Sequence, residues 1–208
     1  VGLAAMAAAV LAGSVVLAQQ QSKLPVPVPQ PGVPENFSIE GKYVRVAYNN
    51  EGFLSLGYRV ANGEVGKEWI LLEIGATLRD GVPNYTLKRE HLQLQTPDGK
   101  VIPLPTQSDY LKADLRMQEQ RAQANADSIN YFPPRARDAC RLAFFAPPGS
   151  RAMSYDQVEL SPSRGCVGRV YFRIPGGLKY GQHFLVVQFA KSVVKAPFRI
   201  VTPEEAKI

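Results

Sequence analysis

The chain has 208 residues, with 24 Lys and Arg against 18 Asp and Glu, two Cys and two His. Its net charge of +6 favours anionic neighbours. The cations are interleaved with acids, however, and no basic run marks a groove-binding element, which excludes nucleic acid as the partner. The few Cys and His, without CxxC or ligand-type spacing, give no basis for a metal, a cofactor or dithiol redox chemistry.

Val1–Ala18 carries no charge and almost only small or aliphatic side chains. A cleaved secretory signal needs an apolar stretch of roughly 7–15 residues and small side chains before the cut, and Val16-Leu17-Ala18 supplies these before Gln19. A membrane anchor needs about 20 apolar residues, with about 17 as the lower limit, so this segment also reads as an anchor. Leu11-Ala12-Gly13-Ser14 has the outline of a bacterial lipoprotein signal, but Ser14 stands where the lipid-bearing Cys would be. Both readings export the body, to the periplasm, the cell surface or the exterior, either free or held on a membrane through Val1–Ala18. In the linker 19–36, Pro25, Pro27, Pro29, Pro31 and Pro34 fix φ and push their neighbours toward extended backbone. Such a segment reaches on the order of 50 Å, as a spacer or as an ordinary post-signal linker.

From residue 37 to 203 the pattern is one of short strands and tight turns. Tyr43–Tyr48 and Phe53–Val60 flank Asn49–Gly52, and Asn62-Gly63 reads as a two-residue hairpin turn. Trp69–Leu78 is the most apolar strand, with Ile70, Leu72, Ile74, Ala76 and Leu78 on one face by period two; Asp80-Gly81 closes it. His91–Thr96 and Lys100–Leu104 flank the Pro97-Asp98-Gly99 turn. Between Ser108 and about residue 130, Leu111, Leu115, Ala122, Ala126 and Ile129 recur at three- or four-residue multiples. This predicts one amphipathic helix, capped near Thr106 and Ser108, ending before Pro133-Pro134 and packed lightly across a sheet edge or one end of the body. It either covers its own domain or binds a partner. Strands resume at Arg141–Ala146, Tyr155–Leu160, Gly168–Ile174, His183–Ala190 and Pro197–Val201, with Pro175-Gly176-Gly177 as a hairpin loop; residues 204–208 are a tail. Short strands at this spacing, without alternating helices, predict an all-β antiparallel sandwich with one inserted amphipathic helix, behind an N-terminal hydrophobic helix and a Pro-rich linker.

Trp69–Leu78, the Asp98-Gly99-Lys100 turn and Gly168-Arg169-Val170-Tyr171-Phe172-Arg173-Ile174-Pro175 resemble the immunoglobulin-like, telokin-like domains of bacterial envelope lipoproteins of unknown function. The resemblance covers a third to half of the body and implies an immunoglobulin-like sandwich with no catalytic residues. The helix, the cysteine pair and the missing lipid cysteine depart from that pattern.

Cys140 and Cys166, behind an export segment, read as one disulfide. Tyr131-Phe132-Pro133-Pro134-Arg135-Ala136-Arg137-Asp138 is the candidate binding segment, because aromatics and arginines dominate recognition hot spots; Tyr131, Phe132, Arg135 and Arg137 are its contact residues. It reads equally well as a connection between layers with the aromatics buried. Tyr180 is a candidate for the corner hydrogen bond of immunoglobulin-like folds. His91 and His183 are expected at the surface or at strand edges, and Asp80 and Asp98 as turn residues. No catalytic residue is assigned: a hydrolase would need two facing carboxylates among Glu64, Glu68, Glu73, Glu90, Asp98 and Glu159. The expectation is a non-enzymatic exported binding or scaffolding module at a bacterial cell envelope, with a protein or anionic envelope component as partner. Its rivals are a membrane-anchored accessory subunit of an envelope complex and a carbohydrate-active or other hydrolase on the sandwich.

Overall fold

A computed structural model describes residues 36–207. Val1–Ala18, with its expected hydrophobic helix, and residues 19–35 of the linker, with its five prolines, lie outside the described residues; Asn36, the last residue of the expected linker, opens the first strand. The chain runs through β1 (Asn36–Gly41), β2 (Val44–Tyr48), β3 (Gly52–Gly57), the helical turn α1 (Arg59–Asn62), β4 (Trp69–Leu78), β5 (Tyr85–Lys88), β6 (Leu92–Gln95) and β7 (Val101–Pro103). There follow α2 (Gln107–Lys112), α3 (Arg116–Ala124), β8 (Asp138–Arg141), β9 (Gln157–Leu160), β10 (Arg164–Arg173), β11 (Gly181–Gln188) and β12 (Val193–Ile200). A six-stranded sheet, β1-β2-β3-β4-β10-β8, packs on a four-stranded sheet, β12-β11-β6-β7, and β5 pairs with β9 as a separate ribbon. The architecture is a β-sandwich, as its strand pattern predicts.

Strand register explains the core. Ile70, Leu72, Ile74 and Ala76 of β4 lie opposite Phe172, Val170, Gly168 and Cys166 of β10, while Leu56 and Leu54 of β3 lie opposite Ile74 and Ala76. Residues directly opposite in an antiparallel pair share a face, so period two on β4 propagates across the sheet. The second sheet answers with Leu94 of β6, Leu185 and Val187 of β11, and Val194, Ala196 and Phe198 of β12, all buried.

The other face of β4 is buried as well: Leu71, Glu73, Gly75 and Thr77 are all shielded from solvent, Glu73 the least of them. The cover is the segment between β7 and β8, and here the single helix over 108–130 is corrected. Two short helices stand in its place, separated by Ala113, whose backbone is extended (φ −91°, ψ 138°). Tyr110 and Leu115 are both buried, yet five helical residues place two side chains about 140° apart. One continuous helix cannot bury both, and the break re-aims the chain between them. Leu111, counted in the predicted stripe, is 49% exposed. The segment crosses the outer face of the central strands rather than a sheet edge.

Four local expectations are corrected. Asn62 ends a helical turn and Gly63 follows it as the cap, so this is no hairpin turn. The strand predicted at Arg141–Ala146 lies earlier, at Asp138–Arg141, and pairs in parallel with β10 in an otherwise antiparallel sheet. Pro175-Gly176-Gly177 carries the chain from one sheet to the other instead of closing a hairpin. His183 is fully buried. Its residue lies opposite Phe198 on the inner face, and the two rings stack at 5.3 Å between centroids.

Candidate functional site

The two cysteines occupy directly opposed positions on β8 and β10. Cys140 and Cys166 form a disulfide with Cα atoms 4.1 Å apart, closing a separation of 26 residues. It fastens the edge strand to the sheet at the point where the chain returns from the outer cover.

The candidate binding segment lies beside this bond, and the structure divides its residues. Phe132 points inward. A Cβ added to Gly75 or Gly165 would stand 2.7 or 2.8 Å from its ring, so the bare backbones of β4 and β10 form the slot that holds it. Phe53 flanks the ring at 6.5 Å between centroids. Just before it, Ser55 donates to the Ile129 carbonyl at 2.5 Å, and the Asp127 N–H donates to Glu73 at 3.0 Å. Tyr131 is 37% exposed, at the segment's outer surface. Arg135 pairs with Asp80, and Arg137 donates to the Pro134 carbonyl at 2.9 Å. Arg135 and Arg164 border a polar hollow of about 380 Å³ lined with Ser161, Ser163, Asp138 and Glu159. The segment is thus an inter-layer connection through Phe132 and an exposed polar surface through Tyr131, Arg135 and Arg137.

A second cluster escapes sequence reading because its members come from three separate elements. Glu119 on α3 accepts from Tyr110 on α2 at 3.0 Å, from Arg169 on β10 at 2.9 Å, and from Tyr171 on β10. Arg169 also faces Glu73 at 3.6 Å. Burial, reinforced by the Glu119 carboxylate, pushes both tyrosine hydroxyls far above their ordinary range, so they stay neutral and act as donors. Burial raises Glu73, with the Asp127 N–H and Arg169 pulling the other way. Tyr110, Tyr171 and Phe145 pack ring on ring at 4.6–5.2 Å. Beside them, Arg141 and Arg169 edge a cleft of about 220 Å³. Chemically this is a carboxylate saturated by three donors, a clamp that docks both helices on the sheet. Glu64 repeats the device: it is fully buried and pairs with Lys67 at 2.6 Å and with Arg121 of α3. Arg89, whose guanidinium stacks on the Phe145 ring at 4.9 Å, is also buried. It donates to the carbonyls of Pro105 at 2.7 Å and Phe144 at 2.5 Å, and pairs with Asp156 at 2.9 Å.

The histidines serve packing. His91 stacks on Tyr85 and shares a hydrogen bond with its hydroxyl at 2.8 Å. His183 Nδ1 bonds to the Gly181 carbonyl at 3.1 Å, and its Nε2 is buried without a partner among the described residues. Burial holds both rings below the usual histidine range. Tyr180 is 44% exposed, in place of a buried corner; the tyrosine that is buried and ties down a turn is Tyr58, which donates to the Lys42 carbonyl at 3.0 Å. Asp98 does cap its turn: it accepts from Thr96 at 2.6 Å, which with Lys100 lowers its carboxyl well below the usual range. The six carboxylates named above keep separate company: Glu64 with Lys67, Glu68 with Arg173, Glu73 with Arg169, Glu90 with Lys88, Asp98 with Lys100 and Lys179, Glu159 with Asn84. Among the described residues no three His, Cys, Asp or Glu gather as metal ligands, and no helix is long and apolar enough to cross a membrane. Compared with models of protein families, with curated proteins and with solved structures, the chain returns no match.

Proposed function

We propose that the protein is an exported, non-enzymatic binding or scaffolding module of immunoglobulin-like type, working at a bacterial cell envelope. The observation that carries the reading is the Cys140–Cys166 disulfide on adjacent strands, since such bonds persist in oxidising, extracytoplasmic compartments. The internal pairing of the polar groups supports the non-enzymatic part. Glu119, Glu73 and Glu64 each answer to cations or hydroxyls of the fold itself, and general acid–base work needs a group free to meet a substrate. The exposed Tyr131, Arg135 and Arg137 are the contact residues of this reading, and they suit an anionic or acidic partner. The uncharged run Val1–Ala18 favours a second form, in which this segment is retained and the sandwich is an accessory subunit displayed from a membrane.

Intact mass of the native protein from separated membrane and soluble fractions, without reductant, tests both forms. The expected species is two hydrogens lighter than the reduced chain. A soluble form starting at Gln19 establishes the secreted module, and a full-length form in the membrane fraction establishes the anchored one. A fully reduced native protein overturns the exported reading.

A further inference from the structure

The core-facing register of the six-stranded sheet runs on past the edge of the second sheet. Phe37 and Ile39 of β1 lie opposite Ala47 and Arg45 of β2, which lie opposite the core residues Leu54 and Leu56 of β3. All of these side chains therefore share one face. The second sheet ends at β12, so β1 overhangs it, and its apolar residues go uncovered: Phe37 is 62% exposed and Ile39 65%. Between the overhang and the outer side of β11 and β12 lies a groove of about 590 Å³, with Phe184 and Pro197 on its wall and Lys195 at its rim; Arg45 also lines it, its guanidinium bonded to the Gly41 and Val44 carbonyls and the Tyr58 hydroxyl. Arg199, also at the rim, is neutralised by Glu205 at 2.6 Å. Among the described residues no carboxylate pairs with Arg45 or Lys195. The one acid on β1, Glu40, takes a hydrogen bond from Ser38 and belongs with it to the strand's alternate set of side chains.

We propose that this overhanging face docks on an anionic lipid bilayer, with Phe37 and Ile39 entering the headgroup region while Lys195 meets lipid phosphates and the uncompensated charge of Arg45 adds to the attraction. Apolar side chains beside cations that no carboxylate neutralises are the composition of an interfacial lipid-binding surface. A second copy fits less well, because a two-fold contact through the same patch would gather the Arg45 and Lys195 charges of both copies in one interface with no carboxylate between them. Chain length supplies the proximity. β1 is preceded by the proline-rich linker, with a reach on the order of 50 Å, and then by the apolar run Val1–Ala18. When that run sits in a bilayer, the face is confined near the same lipid. This deepens the anchored form of the proposed function and rests on it for that proximity.

The test uses the full chain carrying Phe37→Trp in a Trp69→Phe background, so that the introduced indole reports alone. It is mixed with vesicles of phosphatidylcholine, with or without phosphatidylglycerol, whose acyl chains are brominated. Quenching and a blue shift are expected with the anionic vesicles, reversed at high salt. Lys195→Gln should weaken the vesicle affinity about fivefold, the ratio that corresponds to about 1 kcal/mol for one interfacial cation. Equal quenching on neutral and anionic vesicles, or none while the protein still floats with them, overturns the docking face and leaves the anchor standing. Quenching on anionic vesicles by a form that starts at Gln19 supports the face and removes the anchor. An indole already shielded without vesicles, together with a doubled mass, assigns the face to a second copy and overturns the proposal.

Discussion

On the inner face of the six-stranded sheet, Ile70, Leu72, Val170 and Phe172 meet the second sheet with almost no polar atoms between them. On the outer face of the same strands, Leu71, Glu73, Gly75, Arg169 and Tyr171 meet a segment with only two short helices and long stretches of irregular backbone. The inner contact is apolar area removed from water, which is non-directional. The outer contact is a set of addressed fastenings: Glu119 on two tyrosines and an arginine, Glu64 on Arg121, and Phe132 in a slot floored by two glycines. One surface is held by the quantity of its contacts, the other by the identity of a few.

That contrast can be broken at either face. The largest effect is expected for Phe172→Ala, which removes a fully buried ring and should cost about 4 kcal/mol. Denaturant titration should show a single transition at lower midpoint, because that face belongs to the global core. Glu119→Gln should cost less, about 2 kcal/mol for the lost charge-assisted bonds. Its signature should be local: amide exchange accelerates over residues 107–124 while β4 and β11 keep their protection. Uniform acceleration would show that the cover and the core unfold as one unit. The smallest effect concerns acidity. Burial keeps the folded pKa of His183 below its unfolded value, ordinarily about 6.5. The unfolded chain therefore takes up the proton first as pH falls. Stability is full above about pH 6.5 and is lost as pH drops through the folded value, with His91 acting in the same direction. His183→Phe should flatten part of that slope in thermal melts run between pH 7 and 5; an unchanged slope would assign the proton uptake elsewhere.

How far the sequence could be read follows the same division. The alternation of Ile70, Leu72, Ile74, Ala76 and Leu78 announces the inner face because burial against a sheet has a period that survives in the chain. The disulfide follows from having two cysteines in a chain whose uncharged first 18 residues read as an export signal. The outer face has no comparable period. Glu119, Tyr110 and Tyr171 come together only after α2 and α3 are docked, and each is unremarked within its own stretch. A continuous helix is the reading that Leu111 and Ala126 favour by fitting a stripe, yet neither is buried; Gln118, off the stripe, is buried and donates to the Trp69 carbonyl at 2.7 Å. One signal did exist. Gly75 interrupts the most apolar strand at a position facing away from the predicted core, and a lone glycine there marks a close approach by other chain, which Phe132 makes. The buried state of His183 had no sequence signal, since its neighbours in space come from β12.

The disulfide also has a mechanical consequence. It makes residues 140–166 a closed covalent ring containing β9 and the start of β10. A pull between the linker and the C-terminal end would pass through the bond and leave the inside of the ring unloaded. The oxidised chain would stretch on the order of 90 Å less than the reduced one, at about 3.4 Å for each residue withheld. A body tethered to a membrane and loaded by an external partner would then split the polar hollow, with Arg135 and Asp138 on the loaded path and Glu159, Ser161, Ser163 and Arg164 inside the unloaded ring.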